Sequence, residues 1–215
     1  MKTRFALPLF ACALLHAPLA LAGTDLNVKG RIAVGACALT MLDGGIFDFG
    51  KTSHSAANGA DAGRTAKLSV DCASPTKFAF RLIDNRADMA SGSGNETDFG
   101  LGGPDGTSAG HYRISIINAH DSIIDRDRDP SSSNLWLRKR LPGGQAWTSA
   151  TIGRYFPLTP NAMYGMTSAL APSSSPDALV RMRLTLLTTL GLAPDIDRGK
   201  DLELDGSATV ELHYL

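Results

Sequence analysis

The string "GTSAG" at residues 106–110 matches G-x-S-x-G, an arrangement that lets a serine act as an acyl-transfer nucleophile. That chemistry needs Ser108 on a sharp turn between a strand and a helix, where its hydroxyl can meet a base and a pair of N–H donors. Here the preceding "GLGGPD" is loop-forming, and the following "HYRISIIN" alternates as a strand does. The context reads as a Gly/Ser turn, so no catalytic residue is assigned and an enzyme is not expected. A hydrolase using Ser108 remains the third-ranked alternative.

Other chemistry-bearing residues fare similarly. "DIDRGKDLELDG" offers Asp195, Asp197 and Asp201 as oxygen donors for calcium, but lacks the ligand spacing and closing bidentate glutamate of an EF-hand. His16, His54, His111, His120 and His213 are scattered, and no two sit at metal-ligand spacing on a helix. "DRDRDP" alternates Asp with Arg before a proline and reads as a solvated loop. "NET" at Asn95 fits a glycosylation acceptor, a string short enough to arise by chance. No metal and no cofactor is expected.

The first residues, "MKTRFALPLFACALLHAPLALAG", place Lys2 and Arg4 before an apolar stretch and end it on Ala20, Leu21 and Ala22. This is the pattern of a secretory signal peptide over residues 1–22, with a mature chain of residues 23–215. A membrane anchor is the alternative, but Pro8, His16 and Pro18 interrupt the run, which falls short of the ~20 residues a spanning helix needs. Lipid attachment at Cys12 in "LFAC" would leave a very short apolar region. Cleavage after Ala22 removes two of the 21 cations and none of the 21 acids, leaving a net charge of −2. That balance gives no support for nucleic-acid binding. It also leaves two cysteines, Cys37 and Cys72, and in an oxidising compartment a lone pair is most simply a disulfide.

The elements that would position these residues are short strands. "LNVKGRIAV" alternates Leu26, Val28, Ile32 and Val34, and "AKLSVDC" alternates Leu68, Val70 and Cys72. "KFAFRLID" carries Phe78, Phe80 and Leu82 on one face, and "HYRISIIN" carries Tyr112, Ile114 and Ile116. "LWLRK" is shorter, and "ALVRMRLTLL" sets Val180, Met182, Leu184 and Leu186 against Arg181, Arg183 and Thr185. The last residues, "DGSATVELHYL", put Ala208, Val210, Leu212 and Tyr214 on one face, ahead of the terminal Leu215. Gly, Ser, Pro and Asp clusters separate the runs, so the expectation is an all-β sandwich forming a single domain, with long loops in a weakly patterned middle at residues 91–176.

Two stretches resemble chaperone-usher fimbrial subunits. "GRIAVGAC" is similar to their G-x-[IV]-x-x-x-x-C start, with Gly30, Ile32 and Cys37, and "LSVDC" supplies a second cysteine at the expected remove. The end "SATVELHYL" looks like a pilin C-terminus with its penultimate tyrosine, here Tyr214. "FDFGK", "CASPTKFAFRLIDNR", "FGLGG" and "GHYRISI" resemble an uncharacterised group of fimbrial-like exported bacterial proteins. The resemblance implies an immunoglobulin-like sandwich lacking its last strand. It implies partners too: a periplasmic chaperone whose strand fills the groove first, an outer-membrane usher, and neighbouring fimbrial subunits that supply the next strand. Ala208, Val210, Leu212, Tyr214 and Leu215 would then form the chaperone-facing strand, and Leu26, Val28 and Ile32 the candidate donor strand.

One departure from the pattern concerns the donor, since only "GTDLNVK" precedes Gly30. Either the donor continues into "GRIAV", or the subunit only accepts a strand, or the fold closes on itself. The expected function is a structural subunit of a surface fimbria, exported through the periplasm to the cell surface. The alternative is a fimbria-associated or secreted adhesin that binds a host glycan or protein through its loops, with Trp136 and Trp147 as stacking residues.

Overall fold

The computed structural model describes residues 36–50, 63–103, 106–117, 123–125, 136–150, 155–197 and 201–215. The signal-peptide and donor-strand expectations, including Leu26, Val28 and Ile32, lie outside these residues, as do His54 and His120. All described residues belong to the unit Val34–Leu215.

The protein is all-β. Among the described residues twelve strands form antiparallel ladders: β1 (Cys37–Met41), β2 (Arg64–Asp84), β3 (Phe99–Gly102), β4 (Ser108–Ile117), β5 (Ile123–Asp125), β6 (Trp136–Arg140), β7 (Thr148–Ser149), β8 (Tyr155–Pro157), β9 (Met163–Thr167), β10 (Ala178–Leu192), β11 (Asp205–Gly206) and β12 (Ala208–Tyr214). One 3-10 turn, Ala87–Met89, follows β2.

The architecture turns on β2, whose 21 residues run through two sheets. Its first part pairs with β10 and, at Leu68–Cys72, with β1. Its last part, from Phe78 to Asp84, pairs with β12, while Phe80 and Arg81 pair with β9. The first sheet continues from β10 to β4, and from β4 to β3 and β8. The second continues from β9 to β6 and β7. Their apolar faces share one core, in which Leu68, Ile114 and Leu184 of the first sheet belong with Phe80, Leu137 and Tyr164 of the second. Phe156 on β8 meets Tyr164 on β9 edge-on with ring centroids 6.0 Å apart, a direct contact between the sheets.

Three sequence expectations are corrected by this packing. "AKLSVDC" and "KFAFRLID" are one strand, because Pro75 falls in the short stretch of β2 that neither β1, β10 nor β12 pairs, where its missing N–H costs no ladder bond. In β10 the inward set is Leu179, Met182, Leu184 and Leu186, and Val180 is not in it. A bulge between Leu179 and Arg181 shifts the register and resets the parity of the alternation. "GLGGPD", expected as loop, places Gly100, Leu101 and Gly102 in β3, paired with β4.

Candidate functional site

β12 alternates Ala, Val and Leu with Thr, Glu and His, so one face can bury. Ala208, Val210 and Leu212 pack against the core as expected. Tyr214 does not act as a buried anchor: it is 52% exposed at the end of β12, although its register partner Phe78 is buried in the core. Its phenol oxygen instead accepts from the Cys37 N–H at 3.1 Å, tying the end of β12 to the start of β1. Leu215 is likewise half exposed. Next to this contact Cys37 and Cys72, opposite each other in the β1–β2 ladder, form the expected disulfide.

Hydrogen bonds on β12 define its free edge. Ser207 C=O accepts from Asn85 N–H, and Leu215 N–H donates to Lys77 C=O, both at 3.0 Å. Bonded pairs recur every second residue in an antiparallel ladder, so the odd-numbered residues face β2. The N–H and C=O groups of Ala208, Val210, Leu212 and Tyr214 therefore point to the opposite edge. Among the described residues β12 pairs with no strand but β2.

Beside that edge lies a groove of about 1090 Å³. Its floor comes from both sheets: Leu82, Ala208 and Val210 on one side, Leu101, Tyr112, Ile114, Leu186, Thr188 and Leu190 on the other. The segments 45–50 and 201–204 form its rim and cover part of its floor, with Phe47, Phe49, Leu202 and Leu204 packed against the core. The rim is held by Arg64, whose Nε donates to Asp48 C=O at 2.8 Å and whose guanidinium lies 5.4 Å from the Phe49 ring centre. Ile46 stands exposed at the mouth. An apolar trough beside a row of unpaired backbone groups is what an added strand would satisfy, since its backbone can meet the edge and its alternate side chains the floor.

The floor is not wholly apolar. Tyr112 is 6% exposed and Thr188 is 2% exposed, yet Tyr112 Oη and Thr188 Oγ1 make no hydrogen bond. Burial, reinforced by the Asp84 and Asp205 charges, pushes the Tyr112 phenol far above its ordinary range, so it stays protonated and able to donate. Phe99 stacks on its ring at 5.3 Å. The sequence marked Tyr112 only as an inward strand residue and did not single out Thr188. Period-two alternation does signal that both face inward, but it cannot show that their hydroxyls go unpaired.

Ser108 is the first residue of a strand, with no strand-turn-helix around it. Its hydroxyl donates to Met89 C=O at 2.6 Å and lies 2.6 Å from Ser91 Oγ, while Gly110 N–H donates to it at 3.2 Å. It thus fastens the loop after β2 to β4. His111 points elsewhere in the same cluster, with Nδ1 2.9 Å from Ser91 C=O and Nε2 3.9 Å from Asp98. Asp98 accepts from Arg113 Nε at 2.7 Å, from Asn95 N–H at 3.1 Å and from the Ser93 hydroxyl. Burial alone would raise the Asp98 carboxyl, but the Ser93 and Arg113 hydrogen bonds outweigh it and hold it below the usual carboxylate range.

The remaining candidates separate. Trp147 is buried, with the Arg140 guanidinium 4.8 Å from its ring centre, whereas Trp136 is exposed at the start of β6. Asn95 is exposed, and its side-chain oxygen accepts from Thr97 N–H and Oγ1. His213 Nε2 lies 3.1 Å from Glu211, which also pairs with Arg81. Among the described residues no three His, Cys, Asp or Glu side chains gather as a metal site would require.

Residues 26–112 match a family model described as "Protein of unknown function (DUF1120)". That span holds both cysteines and the strands from β1 to the first part of β4. Over its length the chain is similar to "Protein GltF" of Escherichia coli (strain K12), 25% identical across 89% of this chain and 88% of the relative. It is also similar to "Uncharacterized protein YhcF" of the same organism, 24% identical across 89% of this chain and 90% of the relative.

Proposed function

We propose that this chain is a structural subunit of a surface fimbria, exported to the periplasm, held there by a chaperone, delivered to an outer-membrane usher and joined to neighbouring subunits by strand exchange. The observation that carries this reading is the free edge of β12 beside an apolar groove floored by both sheets. Unpaired backbone at a sheet edge is costly in water, and one extended segment running along β12 would pair it. The disulfide and the Tyr214–Cys37 contact support it further, because they hold β1 and β12 in place beside the groove. The adhesin alternative has less behind it: of its two proposed stacking residues, Trp147 is buried under Arg140.

The test is a photo-cross-linking side chain at position 212, compared with one at position 67 on the exposed face of β2. In the producing cell, position 212 should capture an extended segment of a chaperone or another subunit, identified by peptide mass, and position 67 should not. A chain that accumulates as a soluble monomer with no cross-link at position 212 would overturn the reading.

A further inference from the structure

Resting on the strand acceptance proposed above, we propose that the accepted strand runs past β12 onto β1, and that Tyr214 is the latch it opens. In the unassembled chain the Tyr214 phenol caps the first edge-facing donor of β1. In the complex a backbone carbonyl of the incoming strand takes that donor, and the phenol swings free.

Hydrogen bonds on β1 fix which of its groups face outward. Ala73 N–H donates to Ala36 C=O at 3.1 Å, and Leu42 N–H donates to Lys67 C=O at 2.9 Å. Bonded pairs recur every second residue, so the backbone groups of Ala38 and Thr40 face β2, and those of Cys37, Leu39 and Met41 face the other edge. Among the described residues β1 pairs with no strand but β2.

Both β1 and β12 bond to odd-numbered residues of β2, β1 to those from Lys67 to Ala73 and β12 to those from Lys77 to Asn85. The even-numbered side chains enter the core on both sides of Pro75, Leu68, Val70 and Cys72 before it and Phe78, Phe80 and Leu82 after it. The alternation is therefore kept across Pro75, and β12 and β1 lie end to end along one side of β2, running in the same direction. Seven residues of β12 and five of β1 give a joint edge for an extended segment of about twelve residues.

Tyr214 closes the junction between them. β12 ends opposite Phe78, and β1 begins opposite Cys72. The Cys37 N–H that donates to Tyr214 Oη at 3.1 Å is one of the edge-facing groups of β1. The phenol oxygen thus sits where the carbonyl of a neighbouring strand would. A strand laid along β12 reaches this point at its end, and it can continue along Leu39 only by taking the Cys37 donor. The latch is weak, because the phenol is a neutral acceptor on a side chain 52% exposed, and water can replace it. It keeps an edge donor satisfied until a strand arrives.

The experiment measures amide exchange in the chain of residues 23–215, alone and in complex with the partner that position 212 captures, for wild type, Tyr214→Phe and Tyr214→Leu. In the chain alone, the Cys37 amide should exchange about tenfold faster in both variants, the protection expected of one exposed hydrogen bond. In the complex, the Cys37 and Leu39 amides should be protected together with those of Val210 and Leu212, and equally in all three proteins. Two variants keep the comparison standing if one folds poorly. Three results would each overturn this inference and leave strand acceptance intact: a Cys37 amide indifferent to Tyr214 in the chain alone, protection of Val210 and Leu212 with Leu39 unchanged, or a Cys37 amide that still depends on Tyr214 in the complex. A position 212 that captures no partner strand would overturn strand acceptance and this inference together.

Discussion

Replacing Asp98 with asparagine should destabilise the protein by about 2 kcal/mol near neutral pH, because the carboxylate holds together a loop that leads directly into the groove wall. Its side chain is only 6% exposed and accepts from Arg113 Nε, Asn95 N–H and the Ser93 hydroxyl. A hydrogen bond to a charged group contributes roughly 1.5–3 kcal/mol. Asparagine keeps one acceptor of similar shape and turns an amide N–H₂ toward donors, so one such contribution is lost and the rest weakens. Asp98→Ala removes all three and should cost roughly 3–4 kcal/mol, tempered because Arg113, Ser93 and Asn95 are exposed enough to turn toward water. The folded-state pKa of Asp98 is depressed, so its stabilisation is fully present above the unfolded value of about 3.9 and is lost as pH falls through the folded value. Urea unfolding of wild type and Asp98→Asn across the acidic range is the assay. The two stabilities should be separated above about pH 5 and converge in acid. Parallel curves, or a difference below about 0.5 kcal/mol at neutral pH, would refute the reasoning.

Three further outcomes follow from the packing. Removing the disulfide by Cys37→Ala with Cys72→Ala closes no loop of 35 residues in the unfolded chain and should cost about 4 kcal/mol in urea unfolding, a loss that reductant should reproduce in the wild type. Ser108→Ala should lower stability by about 1–2 kcal/mol, since its hydroxyl bridges Met89, Ser91 and Gly110, and should leave reaction with a fluorophosphonate probe at background. Tyr214→Phe should cost no more than about 1 kcal/mol, the worth of its bond to Cys37, while Leu212→Ala, which opens the core-facing side of β12, should cost roughly twice that or more.

What the sequence made legible was what alternation encodes. β2, β4, β10 and β12 show their inward residues by a period of two, and the cysteine pair was readable from its count and the expected export. The failures have local causes. "AKLSVDC" and "KFAFRLID" read as separate runs because the sequence does not show that Pro75 between them sits where no ladder bond is needed. The bulge in β10 moved Val180 off the face its spacing assigned. β9, "MYGMT", was hidden because Gly165 has no side chain to pattern. A side chain there would collide with Pro176, which covers the strand from across a loop. Arg138 on β6 is 1% exposed with no carboxylate bonded to it among the described residues, its guanidinium donating to Ala169 and Ala171 carbonyls, and a charged residue in that setting gives no sequence signal of burial. For the groove, β12 was legible as half-buried and needing a partner. The orphan state of Tyr112 and Thr188 was not, because it depends on which groups come near them from strands far apart in the chain.

Residue-resolved hydrogen exchange on β12 tests the central claim most directly. In the isolated chain of residues 23–215, the amides of Thr209, Glu211 and His213 donate to β2 and should be protected, while those of Val210 and Leu212 point to the free edge and should exchange rapidly. On assembly into a complex, the Val210 and Leu212 amides should become protected together, with little change at Thr209 and Glu211. Uniform protection of all five amides in the isolated chain would mean that the edge of β12 is already paired, and would contradict the account of an open groove awaiting a strand.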